Sequence, residues 1–230
     1  MQFERIEPPN LLQKIISQIK YNISIGELQK GSRLPSERAL CGLFGLSRAT
    51  VREALKMLEL LGLVECRHGS GYSISTNLGD TLSEPLSIMF LLEKGDVMQT
   101  HELRRALELE IAGLAACSAS PEDLKQMTEL LEKIEGGASE QQKADYDRRF
   151  HYTMARAAGN PLLMILLNAA EDLIDDHIHD ARIHIIQRGN NESVINRQHR
   201  AMLEALRAHD ATAARAAVTA HMDLIAASLQ

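Results

Sequence analysis

Apolar positions in residues 11–25, LLQKIISQIKYNISI, fall at Leu11, Leu12, Ile15, Ile16, Ile19 and Ile23. That three- and four-residue spacing puts one greasy stripe along one side of a helix, and Gly26 offers a stop. A polar connection, GELQKGSRLP, leads to Ser36, a hydroxyl placed to cap the helix ERALCGLF, and Gly45 follows as a breaker. Ser47 caps the next helix, whose Val51, Leu55, Leu58 and Leu61 recur on one face until Gly62. Two β-prone runs, LVECR and YSIST, then flank HGSG, the composition of a tight hairpin. Helix, helix, turn, helix, hairpin is the plan of a winged helix-turn-helix. It predicts that the helix opened by Ser47 enters a major groove of DNA.

Beyond this head the pattern changes. Residues 77–96 read as a linker with a short helical segment around Pro85–Leu92. From Val97 onward the signal is helical nearly throughout. HELRRALELEIAGLAAC is apolar at Leu103, Leu107, Ile111 and Leu114, and SPEDLKQMTELLEKIEGG carries Ser120 as N-cap, Pro121 at the first helical position and a Gly pair as stop. QQKADYDRRFHYTMARAAGNP ends at Gly159–Asn160–Pro161. A long helix is expected from Leu162 to about Gln187, followed by NNESVINRQHRAMLEALRAHD and ATAARAAVTAHMDLIAASL. Six helices without a convincing strand imply an antiparallel bundle. The expectation is a mainly α protein, with a winged helix-turn-helix over 1–76, a linker over 77–96 and an all-helical domain over 97–230.

Composition agrees with helix packing: aromatics are 3% of 230 residues and Trp is absent. The start, MQFERIEPPN, lacks a basic stretch followed by an apolar run, and no apolar run approaches the roughly 20 residues of a membrane span. Cys41, Cys66 and Cys117 are odd in number, form no CxxC pair and fit reduced thiols. A soluble cytoplasmic protein is expected, with Cys66 and Cys117 as small buried residues. The net charge of −6 is unevenly spread. Residues 1–76 hold ten Lys and Arg against seven Asp and Glu, and residues 77–230 hold 15 against 24, giving a head at +3 and a body at −9. A basic head suits a polyanionic partner.

Candidate chemistry lies in both parts. Ser47, Arg48, Thr50 and Arg52 put hydroxyls and guanidinium forks on the first turns of the recognition helix, where forks can take guanine O6 and N7 or clamp phosphate. In the bundle, Asp147 and His151 stand four residues apart and so share a helix face. His199 and His221 lie on the last two helices. A carboxylate with imidazoles suits a divalent transition metal, although such an Asp/His pair is commonly a plain surface pair. Arg104 reads either as a cation reaching into the bundle toward an anion or as a surface group paired with Glu108. His101 and His209 read as surface residues, as do most of His177, His179 and His184.

LPSER, SRATVREAL, LGLV and HGSG, in this order and spacing, resemble the DNA-binding domain of the GntR superfamily of bacterial transcription regulators. The resemblance implies that Arg38, Arg48, Arg52, His68 and Gly69 contact double-stranded operator DNA, with Ser47 and Thr50 near phosphate or base. Ala49 departs from members that carry a polar residue there. DRRFH, AGNPLL and QHRAMLEALRAHDATAARAAVTAHM are similar to the FCD ligand-binding domain of FadR-type members. In its metal-binding members an Asp and three His hold one divalent ion, and carried over by motif these are Asp147, His151, His199 and His221. Members that bind acyl-CoA lack the set. The resemblance therefore implies a homodimeric regulator, a repressor in the commonest case. Its effector would be a small organic acid held at the metal (zinc first, nickel or manganese otherwise) with Arg104 neutralising its charge. The implied alternative is a regulator for which the ion itself is the signal. A metal-dependent hydrolase is less favoured, because no residue stands out as its general base, and no enzyme activity is expected.

Overall fold

The computed structural model of the chain describes residues 11–67, 71–76, 80–172 and 192–229. The chain divides into two compact units, Met1–Thr81 and Leu82–Gln230.

In the first unit, helices α1 (Leu11–Ser24), α2 (Glu37–Phe44) and α3 (Arg48–Leu60) precede strands β1 (Val64–Arg67) and β2 (Gly71–Ile74). The Ser36 hydroxyl accepts the Ala39 amide at 3.3 Å, and Ser47 accepts that of Thr50 at 3.2 Å, so each serine satisfies a donor the helix start leaves open. Between them Gly45 turns the chain at φ 65°, a left-handed conformation that a side chain would strain. The strands pair antiparallel with Val64 opposite Ile74 and Cys66 opposite Tyr72. The polar connection before α2 does more than link: the Leu34 amide donates to the Tyr72 carbonyl and the Ile74 amide to that of Ser32, both at 2.8 Å. Residues 32–34 thus border β2 as a short third edge, with Arg33 bridged to Ser73. Ile15, Leu34, Leu40, Val51, Leu55, Leu58, Val64 and Ile74 form the core beneath.

The second unit is a helical bundle. Helix α4 (Asp80–Leu92) starts earlier than the short segment expected from the sequence and carries Pro85 inside it. The helices α5 (Val97–Ser118), α6 (Pro121–Glu135), α7 (Glu140–Ala157), α8 (Pro161–Asp172), α9 (Glu192–Arg207) and α10 (Ala211–Leu229) follow. Reciprocal capping boxes open three of them, Asp96 with Gln99, Ser120 with Asp123 and Ser139 with Gln142. The remainder of the long helix expected after Leu162, with His177, His179 and His184, lies outside the described residues. Small buried residues on α5 (Ala112, Gly113, Ala115 and Ala116) and Ala214 on α10 let these two helices approach closely. Ile111, Met127, Ile134, Phe150, Met154, Leu167, Met202, Leu206 and Met222 fill the interior. Among the described residues no helix is long and apolar enough to cross a membrane.

Two neighbouring leucines test the head. Leu58 is fully buried whereas Leu60 is 85% exposed. Leu58→Ala should cost about 2–5 kcal/mol of stability through lost burial and a residual cavity. Leu60→Ala should cost little, as read by urea unfolding under circular dichroism.

Candidate metal centre and nucleic-acid face

Three helices bring their histidines to one point. His151 of α7, His199 of α9 and His221 of α10 are almost completely buried, and their candidate ligand nitrogens all lie within 4.8 Å of one another. His151 Nε2 and His199 Nε2 are 3.3 Å apart. Asp147, one turn before His151, sets its Oδ1 3.3 Å from the same His199 nitrogen. Two ligands each about 2.0–2.1 Å from one ion stand about 2.8–3.0 Å apart at octahedral angles and about 3.3–3.4 Å apart at tetrahedral ones. The separations therefore match atoms that face a common ion. The imidazoles form the cluster proper, and Asp147 joins it through His199.

The surroundings decide which nitrogens face inward. Gln198 donates its side-chain amide to the Ala220 carbonyl at 2.9 Å, which turns its oxygen toward His221 Nδ1 at 3.2 Å. A carbonyl oxygen only accepts, so His221 carries its proton on Nδ1 and leaves Nε2 with a lone pair. Burial, and then the neighbouring His199 and His151, hold His221 well below the usual imidazole range. It is neutral, as a ligand must be. On the other side, His151 Nδ1 meets Glu108 Oε2 at 2.5 Å, a short contact without the alignment of a linear hydrogen bond and so an ion pair first. Arg104 Nε takes the other carboxylate oxygen at 2.6 Å. Burial raises the Glu108 carboxyl, but His151 and Arg104 outweigh it and keep the group ionised. Burial lowers His151, and contact with Glu108 more than reverses this. An ion at Nε2 would leave the Nδ1 proton of His151 facing Glu108. The donor set fits a divalent transition metal.

Several sequence expectations meet the structure here. Arg104 and Glu108 do pair, but in the interior, at 3% and 0% exposure, and not on the surface. Arg105 points elsewhere and reaches Asp223 at 3.5 Å. His101, expected at the surface, is buried, because it shares the inward face of α5 with Arg104 and Glu108. The backbone of Met222 hydrogen-bonds its ring, while its Nε2 has no hydrogen-bond partner among the described residues. Glu108 and Gln198 were not anticipated as supports of the histidines. Gln198 adjoins His199 in sequence yet serves His221. Cys66 and Cys117, expected to be buried, are exposed. Cys66 lies two residues beyond Val64 along the wing, past the covered core, and Cys117 sits on the outer side of α5.

In the first unit, the start of α3 is open to solvent. The Arg48 side chain is 74% exposed and that of Arg52 50%. The Thr50 and Ser47 hydroxyls hydrogen-bond each other at 2.8 Å. Arg38 is exposed. Arg33, Arg38, Arg48 and Arg67 line one groove with Glu37 and Tyr72. Arg33 is a cation that the sequence pattern hid in a loop, and pairing with β2 is what brings it to this face. Arg52 binds Glu37 through two donors, at 3.2 and 2.9 Å, and Arg48 Nε lies 3.5 Å from the same carboxylate. His68 and Gly69 lie outside the described residues.

Comparisons with known proteins place a match on each of the two units. The bacterial regulatory proteins of the gntR family match residues 11–74, and the FCD domain matches residues 99–224. The chain belongs to the GntR family. This GntR-family protein is 34% identical over 204 residues to the HTH-type transcriptional regulator LutR of Bacillus subtilis (strain 168), covering 87% of this chain and 92% of that one. It is 31% identical over 211 residues to the HTH-type transcriptional repressor NanR of Enterobacter sp. (strain 638), covering 88% and 78%. Among solved structures, Streptococcus agalactiae GntR superposes with a TM-score of 0.67 at 25% identity over 94% of this chain and 99% of that one. The GntR-family chain is therefore a DNA-binding transcription regulator with a winged head and an FCD domain.

Its bundle yields a stability test. Glu108→Ala strands the buried Arg104 charge and should destabilise the protein by about 3–5 kcal/mol in urea unfolding. Glu135→Ala, which removes the partner of the exposed Arg200, should do little.

Proposed function

We propose that this regulator is a repressor whose hold on operator DNA is set by a small carboxylate bound beside a divalent metal in the FCD domain. The convergence of His151, His199 and His221 in the interior, with Asp147 against His199, carries the reading. These four residues would hold the ion, zinc first, which when bound would supply a Lewis-acidic seat for one end of an anion. Arg104 lies one helix turn from Glu108 and is coupled through it to His151. It is the cation suited to the rest of the effector's charge. Glu108 and Gln198 keep the two imidazole rings oriented so that the site exists before any effector arrives.

An effector changes DNA affinity only by its differential affinity for two conformations. A homodimer placing two recognition helices about one helical turn apart on an inverted repeat gives those conformations an output. The exposed apolar side chains of α4, Ile88, Met89, Leu91 and Leu92, suit a face covered by a second copy. The relatives named as regulator and repressor support regulation without turnover.

Zinc added to metal-stripped protein should raise Tm, and His199→Ala should lose most of that shift. Small carboxylates should raise Tm further only in the zinc-loaded protein, and should weaken its binding to a duplex selected from a random pool. If chelation alone releases that duplex, the ion itself is the effector. Metal-dependent turnover of an ester or amide without DNA would make it an enzyme. On the same selected duplex, Arg48→Ala should lose about tenfold or more in affinity if Arg48 reads a base.

A further inference from the structure

Glu37 opens α2, yet its carboxylate reaches across to α3 and touches both exposed arginines of the recognition helix. Arg52 binds it with Nε on one oxygen at 3.2 Å and Nη2 on the other at 2.9 Å, a parallel fork-on-carboxylate contact. Arg48 Nε stands 3.5 Å from the second oxygen. The hydrogen bond from Arg52 outweighs the opposing effect of burial and, with the charge of Arg52 and the contact from Arg48, holds the Glu37 carboxyl below the usual carboxylate range. The anion is thus present at neutral pH.

A carboxylate here has an unfavourable side. It cancels positive potential on the face that meets phosphates, and so weakens sequence-independent attraction to DNA. Its stabilising effect on the fold is small, because the Arg52 and Arg48 side chains are half or more exposed. What it does well is geometric. An arginine has five donors in a rigid plane on a flexible stem. Anchoring two donors of Arg52 on Glu37 points the remaining three outward in one orientation, and Arg48 is drawn to the same pivot. Bidentate base readout needs forks aimed in this way, whereas phosphate contacts tolerate forks that wander.

We propose that Glu37 is a positioning residue for operator reading: it aims the guanidinium forks of Arg48 and Arg52 at base edges and gives up general affinity for DNA to gain sequence discrimination. The two effects have opposite signs, which separates this role from a structural tie between α2 and α3.

The test uses full-length wild type and Glu37→Ala with two probes, a duplex enriched by the wild type from a random-sequence pool and the unselected pool itself. For Glu37→Ala, affinity for the pool should hold or rise. Its salt dependence should steepen by about 1–2 in log–log slope, as freed arginines take phosphates. The ratio of selected to pool affinity should fall about tenfold or more, the discrimination expected of one good bidentate pair. Thermal unfolding of the variant establishes that the head is folded. An unchanged ratio, or affinities for both probes that fall together, would overturn the proposal. Arg38→Ala gives the contrast, since among the described residues Arg38 forms no ion pair with Glu37: its effect on the pool should be a loss of affinity and not a gain.

Discussion

Glu108 is ionised at a point with no access to water, so its charge has to be balanced by groups fixed around it. Arg104, one turn earlier on the same helix, takes one oxygen, and His151, from a different helix, takes the other. This division governs the rest of the site. With Nδ1 committed to Glu108, the His151 ring can present only Nε2 to the interior, where His199 stands 3.3 Å away. Asp147 follows because it lies one turn before His151, and His221 closes the group with its own tautomer set by Gln198. Taking such charges out of water is costly, and an apolar cluster of the same volume would hold the helices together at least as well. The network is therefore better understood as a support for the site than as a source of stability.

Much of the architecture could be read from the chain because it depends on local chemistry. The serines before α2, α3 and α6 are caps in fact, and Gly45 turns where only a left-handed residue fits easily. Helical spacing put Asp147 and His151 on one face. What brought His199 and His221 to them was a motif resemblance, since spacing alone says nothing about which helices become neighbours. The misreadings share that origin. His101 read as a surface group, and Arg104 with Glu108 as either a surface pair or a cation turned inward, because spacing does not say which face of a helix is covered; all three occupy the face of α5 that its neighbours cover. The pairing of residues 32–34 with β2 was hidden for a related reason: three residues without alternation carry no strand signal, and the bond is supplied by the partner.

Both units use one carboxylate between two cations, and their surroundings give the two arrangements different functions. In the bundle, Glu108, Arg104 and His151 are excluded from solvent, so their attractions are strong, insensitive to salt and costly to break. Such a group holds one geometry, which would suit the proposed metal site, where imidazole lone pairs would have to stay pointed at a small ion. At the head, Glu37, Arg52 and Arg48 stand in water, where the same attractions are weak and screened. A weak hold can be given up when phosphate or a base edge competes, and so it biases the direction of the forks without withdrawing them from DNA. If Glu37 were as buried as Glu108, its arginines would be lost to recognition. If Glu108 were as exposed as Glu37, His151 would be free to turn. The distribution of solvent, more than the choice of residues, is what makes one cluster a scaffold and the other an aiming device.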